Sequence, residues 1–134
     1  MVLHTRIVDL TLSPRSVALT LPEDRITMPT NRVVKEGKQI QGTDEVIVYT
    51  ITSTPWGTPP VVVAATATKA YDVTDNNRTD VTATVLTGDT TVGGDVISLP
   101  PLDALTAGHI YRIEVKFTSG GNTFEPYFIV EAEY

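Results

Sequence analysis

The sequence predicts an all-β fold, an antiparallel β-sandwich with an N-terminal β-hairpin or extended arm, and three observations lead there. Val and Ile dominate the apolar residues and Thr the polar ones, and branching at Cβ suits a pleated sheet better than a helix. Nine Gly and nine Pro are scattered at short intervals, as turns between many short strands require. No window carries the period of a long amphipathic helix. The 134 residues suffice for one domain and are too few for two, so the 41% hydrophobic content is expected to fill one core.

In chain order, residues 1–43 are expected to form an arm or added strands, and residues 44–134 the sandwich. The first part holds two alternating runs, RIVDLTL and SVALTLP, separated by Ser13-Pro14-Arg15; Pro22, Pro29 and the polar stretch KEGKQIQGTD follow. Runs this short are not stable alone and must dock on their own sandwich or on a neighbouring subunit's strand edge. In DEVIVYTITST, Ile47, Tyr49 and Ile51 share one face and Val46, Val48 and Thr50 the other, which predicts a central or covered strand. After the turn-rich Pro55-Trp56-Gly57-Thr58-Pro59-Pro60, further strands are expected in VVVAATATKA, in DVTATVL (Val81, Ala83 and Val85 alternating with Thr82 and Thr84) and in DVISLP after Gly93-Gly94. The clearest strand is HIYRIEVKF, with Tyr111, Ile113, Val115 and Phe117 on one face and Arg112, Glu114 and Lys116 on the other. Ser119-Gly120-Gly121-Asn122 then turns the chain into TFEPYFIVEAEY, where Phe128, Val130 and Ala132 alternate with Ile129, Glu131 and Glu133. Six or seven strands so spaced make a sandwich.

The segment LPPLDALTAGHIYRIEVKF resembles the corner before the penultimate strand of fibronectin type III and related immunoglobulin-like domains, with Leu105, Gly108 and Tyr111 at the matching positions. The resemblance implies an immunoglobulin-like sandwich in which the Tyr111 hydroxyl bonds to backbone a few residues upstream. Trp56 departs from the pattern by lying in a Pro/Gly turn instead of mid-strand, and there is no Cys pair. More broadly, the combination IVYTITSTPWG, VTATVL, GGDVISLPPL, LTAGHIYRIEV and GGNTFEPYFIVEAE is similar to small immunoglobulin-like proteins encoded among the structural genes of tailed bacteriophages. That resemblance leaves out the first forty residues. It implies a virion component, of the decoration or tail-associated type, with other virion proteins as partners and no catalytic residues.

Sixteen acidic against ten basic residues leave a net charge of -6, which opposes binding to nucleic acid or to an anionic membrane surface. There is no cysteine, hence no disulfide, thiol nucleophile or cysteine metal site, which suits assembly in a reducing cytoplasm. The N-terminus MVLHTRIVDLTLSPRS shows no export signal, and no apolar run approaches the ~20 residues of a membrane-spanning helix.

Candidate chemistry is sparse. His4 and His109 are the two histidines, and no serine has a nucleophile-elbow context, so His109 reads as a turn residue. DVTDNNRTD gathers Asp72, Asp75, Asn76, Asn77 and Asp80, oxygen ligands of the kind Ca²⁺ takes, without EF-hand spacing; Asp and Asn also favour turns for local reasons. Asn77-Arg78-Thr79 fits a glycosylation acceptor but signals only an exposed loop, and Gly93-Gly94 and Gly120-Gly121 are turn glycines. Trp56 either closes one end of the core or anchors an interface. No catalytic, cofactor-binding or metal site is expected. The expected function is that of a non-catalytic virion structural protein, a capsid decoration or accessory subunit assembled in the host cytoplasm. It is expected to form a homo-oligomer and bind other virion proteins, such as the major capsid or tail protein, with no nucleic-acid or membrane partner. The alternatives are a cell-surface adhesion or carbohydrate-binding module and an accessory domain of a glycoside hydrolase.

Overall fold

The computed structural model describes residues 6–12 and 32–134, and these form two packed β-sheets. In chain order the strands are β1 (Arg6–Thr11), β2 (Gln39–Gly42), β3 (Ile47–Thr52), β4 (Thr68–Asp72), β5 (Thr79–Asp80), β6 (Thr91–Gly93), β7 (Val96–Ser98), β8 (Ile110–Val115), β9 (Phe117–Ser119), β10 (Asn122–Phe124) and β11 (Tyr127–Glu133). One sheet has the order β1-β3-β7-β6 and the other β2-β11-β8-β4-β5, while β9 and β10 pair as a separate hairpin. With β3, β7 and β6 read as strands B, E and D, and β4, β8 and β11 as C, F and G, this is the strand order of an immunoglobulin-type sandwich.

β3, β8 and β11 lie where the sequence places them. β8 and β11 pair antiparallel, Ile113 opposite Phe128 and Tyr111 opposite Val130, and all four side chains are buried. The turn at their far end is made by Gly120 and Gly121, both at positive φ (57° and 82°), the backbone that a two-residue hairpin loop demands. β3 is central in its sheet, with Ile47, Tyr49 and Ile51 facing the core.

Three expectations need correction. The sandwich is mixed and not purely antiparallel, because β1 runs parallel to β3 and β2 parallel to β11. Between β1 and β3 the chain visits the opposite sheet as β2, and so long a connection permits parallel pairing where a tight turn would not. Of VVVAATATKA only Thr68 onward is strand: Val61 makes a single bridge to Thr118, and the Thr66 and Ala67 amides donate to the Val63 carbonyl in a turn. DVTATVL is not a strand but one helical turn, α1 (Thr82–Val85), that drops Val85 into the core. Its start is set by side chains, since Asp80 accepts the Thr82 amide and the Thr82 hydroxyl accepts the Ala70 amide.

Of the two N-terminal runs, RIVDLTL supplies β1, and SVALTLP lies outside the described residues, as do Pro22 and Pro29. Leu10, Leu12 and Val34 sit fully buried in the same core cluster as β3, β8 and β11. Gln41 of β2, also without exposure, crosses the core: its amide donates to the carbonyls of Leu102 (2.7 Å) and Glu45 (3.1 Å) and accepts from the Tyr49 hydroxyl (3.1 Å). Burial pushes the Tyr49 phenol up to about 12, so it stays a neutral donor.

Candidate functional site

The two ends and two outer faces of the sandwich differ in chemistry. At one end the chain rises into β8 through a corner in which the Thr106 amide donates to the Tyr111 hydroxyl at 2.9 Å. Leu105 is buried beneath it and Gly108 holds φ 83°, so Leu105, Gly108 and Tyr111 play the parts that the resemblance implies. His109 lies at this corner with its Nδ1 2.6 Å from Asp72 Oδ2, and the Thr74 amide and hydroxyl donate to the other Asp72 oxygen. Burial alone would raise the Asp72 pKa, but the hydrogen bonds from Thr74 and His109 outweigh it and hold the carboxyl below its ordinary value. The group is a latch between the end of β4 and the start of β8, because the Thr74 hydroxyl also accepts the Ile110 amide.

The Asp/Asn loop is built by the same local bonding. Asp75 and Asn76 take positive φ (57° and 65°), which these residue types tolerate better than most, and the Asp80 carboxylate is engaged by Thr82. Asp72 and Asp80 are thus turned to separate partners, and no group of three or more His, Asp or Glu side chains among the described residues converges on one point. His4 lies outside the described residues. Asn77 donates its side-chain amide to the Thr74 carbonyl.

The opposite end is aromatic. Trp56, 8% exposed, lies against Phe117 and Phe124 with ring centroids 6.4 and 5.5 Å away, and so closes the core. Beside it Val61 and Val63 are 62% and 70% exposed, and with Thr66, Lys116 and Thr118 they line a small hollow of about 120 Å³. A larger depression, about 540 Å³, opens beside α1 and is lined by Thr68, Thr82, Thr84, Thr90 and Asp80 among small apolar residues. Among the described residues no aromatic side chain lines it.

The two outer faces contrast most. On the four-stranded sheet the outward positions include Ile7, Asp9, Val48, Thr50, Val96 and Ser98, a small-residue surface with one carboxylate that accepts from the Thr50 hydroxyl. On the five-stranded sheet the outward positions carry a charged and aromatic lattice. Arg112 lies over the Tyr127 ring at 3.8 Å from its centroid, and Arg78 over the Tyr71 ring at 4.1 Å. Both guanidiniums converge on one carboxylate, Glu114, at 2.7 and 3.2 Å. Arg32 pairs with Glu125, and Lys38 with Glu131. Residue spacing alone does not foretell this lattice, because its members come from five separate segments; alternation in β8 does foretell that Arg112 and Glu114 point outward. No known family model, no curated protein and no solved structure matches this chain.

Proposed function

We propose that the chain is a non-catalytic structural subunit of a bacteriophage virion, a capsid decoration or tail-accessory protein that self-associates and binds other virion proteins. The observation that carries this is the outer face of the five-stranded sheet. Tyr and Arg are the residues most enriched where proteins meet, and here Tyr71, Tyr127, Arg78 and Arg112 are braced against one another on paired strands. Side chains held in this way lose little further freedom on docking, which favours contact with another rigid, folded surface. The virion as the place of that contact comes from the resemblance to tailed-phage structural proteins. The alternative, a carbohydrate-binding adhesion module, would draw on the threonine hydroxyls and Asp80 of the depression beside α1, where no aromatic ring among the described residues stands to stack on a sugar.

Quantitative mass spectrometry of purified particles from a host carrying the gene tests the proposal. The chain is expected at many copies per particle, in fixed ratio to the major capsid or tail protein. Its absence from particles, together with recovery on the cell surface or binding to a glycan array, would replace the assembly role with the adhesion role.

A further inference from the structure

The net charge of -6 conceals an uneven distribution. Arg32, Lys38, Lys69, Arg78, Arg112 and Lys116 lie on or at the rim of the five-stranded face, six of the ten basic residues of the chain. With them are five carboxylates, Asp80, Glu114, Glu125, Glu131 and Glu133, so the face carries +1 and the other described residues -7. Glu114 is matched by two guanidiniums, Glu125 by Arg32, and Glu131 by Lys38. Lys69 and Lys116 close no ion pair among the described residues, although Lys69 lies close enough to Asp80 to stabilise its carboxylate; with Glu114 and Glu125 they line a hollow of about 210 Å³ that Tyr71 and Ala67 also border. The surplus positive charge is therefore concentrated at the Tyr127 end of β11, where Lys69 and Glu114 share a cross-strand row with Tyr127.

The other end of β11 is acidic. Asp44 and Glu133 are exposed there, beside a hollow of about 450 Å³ that they share with Glu45, Ile40 and Tyr134. Arg6, the one cation among the described residues lining that hollow, is paired with Glu45 at 3.6 Å, and the Glu45 carboxylate also accepts the Gly42 amide. Six residue steps along β11, from Tyr127 to Glu133, separate the two ends, about 20 Å at strand rise. This exceeds the Debye length of about 10 Å at 0.1 M salt, so an approaching molecule senses each end by itself and not the net charge of the whole.

We infer that copies of this chain associate head to tail, the Lys69/Lys116 end of one five-stranded face docking on the Asp44/Glu133 end of the next copy. Such a contact is heterologous: it leaves one basic and one acidic end free and builds a ring or an open array, as a coat of accessory subunits would need. The contact presupposes the self-associating subunit proposed above and names the surfaces it uses.

Sedimentation of the purified full chain with two charge-reversed variants tests it. Wild type at 0.1 M NaCl should show a weight-average mass that rises with concentration, returning to monomer at 0.5 M. The variant K69E/K116E and the variant D44K/E133K should each remain monomeric alone. An equimolar mixture should associate again, since each variant keeps the end that the other lacks and the two reversed ends are themselves complementary. Circular dichroism checks that both are folded, and the neutral pair K69Q/K116Q, expected to lose most of the association, serves if charge reversal disturbs the sheet. A wild type that stays monomeric at 0.1 M, a variant that still associates alone, or a mixture that does not complex would overturn the inference. A chain that meets this test but is missing from particles would sink the virion role and leave the contact standing, and the reverse result would do the opposite.

Discussion

Tyr111 and Asp72 hold the same corner by different means. The Tyr111 hydroxyl accepts the Thr106 amide, so Tyr111→Phe leaves a partly buried N–H without its acceptor and should lower stability by about 1 kcal/mol, read as a shift of the urea midpoint at unchanged slope. An unchanged midpoint would mean that water replaces the hydroxyl at no cost. Asp72 has a folded-state pKa below the unfolded value, so it binds its proton less readily when folded. Its stabilising contribution is present above the ordinary carboxylate pKa near 3.8 and is lost as pH falls through the depressed folded value. Asp72→Asn should therefore flatten the loss of stability below about pH 4 while lowering stability at neutral pH, which melting curves between pH 2 and 7 would register. Tyr111 was legible in the sequence because Leu105, Gly108 and the alternation after it mark the corner. Gln41 was not, since nothing in KEGKQIQGTD distinguishes it from Gln39; its burial depends on Tyr49 and Leu102, which reach it only across the folded core.

At the level of elements, alternation held in β8 and β11 but failed in DVTATVL, where Val81, Ala83 and Val85 alternate with Thr82 and Thr84 and still form a helical turn. β3, β8 and β11 alternate between core and solvent, and each lies at its expected place. Val61–Val63 and Thr82–Val85 have the composition of strands, but the bonds that the Thr66 and Ala67 amides donate to Val63, and the Thr82 amide to Asp80, divert them into turns. Tertiary context outweighs so weak a propensity. The described parts of the first forty-three residues add a strand to each sheet and bury Leu10, Leu12 and Val34. Leu10→Ala should accordingly cost about 2–5 kcal/mol, a large share of the ~5–15 kcal/mol that holds a domain of this size together. Removing residues 1–12 takes away both leucines and the pairing of β1 with β3, and should abolish cooperative thermal unfolding. A truncated chain that melts as sharply as the full one would show that β1 is an appendage.

Over the whole molecule, composition foretold the fold class well and the surface poorly. Glycine and proline spacing and the excess of Val, Ile and Thr pointed to a sandwich. The net charge of -6 is a sum over the chain and does not report that Arg32, Lys69, Arg78 and Arg112, far apart in sequence, meet on one face. Two opposed forces then act between copies: repulsion from the net charge and attraction between the basic and acidic ends. Screening weakens both, so their balance appears in the sign and salt dependence of the pair interaction. Static light scattering of the full chain gives that interaction as its second virial coefficient. The account predicts a negative coefficient at 0.1 M NaCl that rises toward positive values at 0.5 M as the end-to-end attraction is screened. A coefficient that is positive at 0.1 M and falls as salt is added is what uniform repulsion would give, and would contradict it.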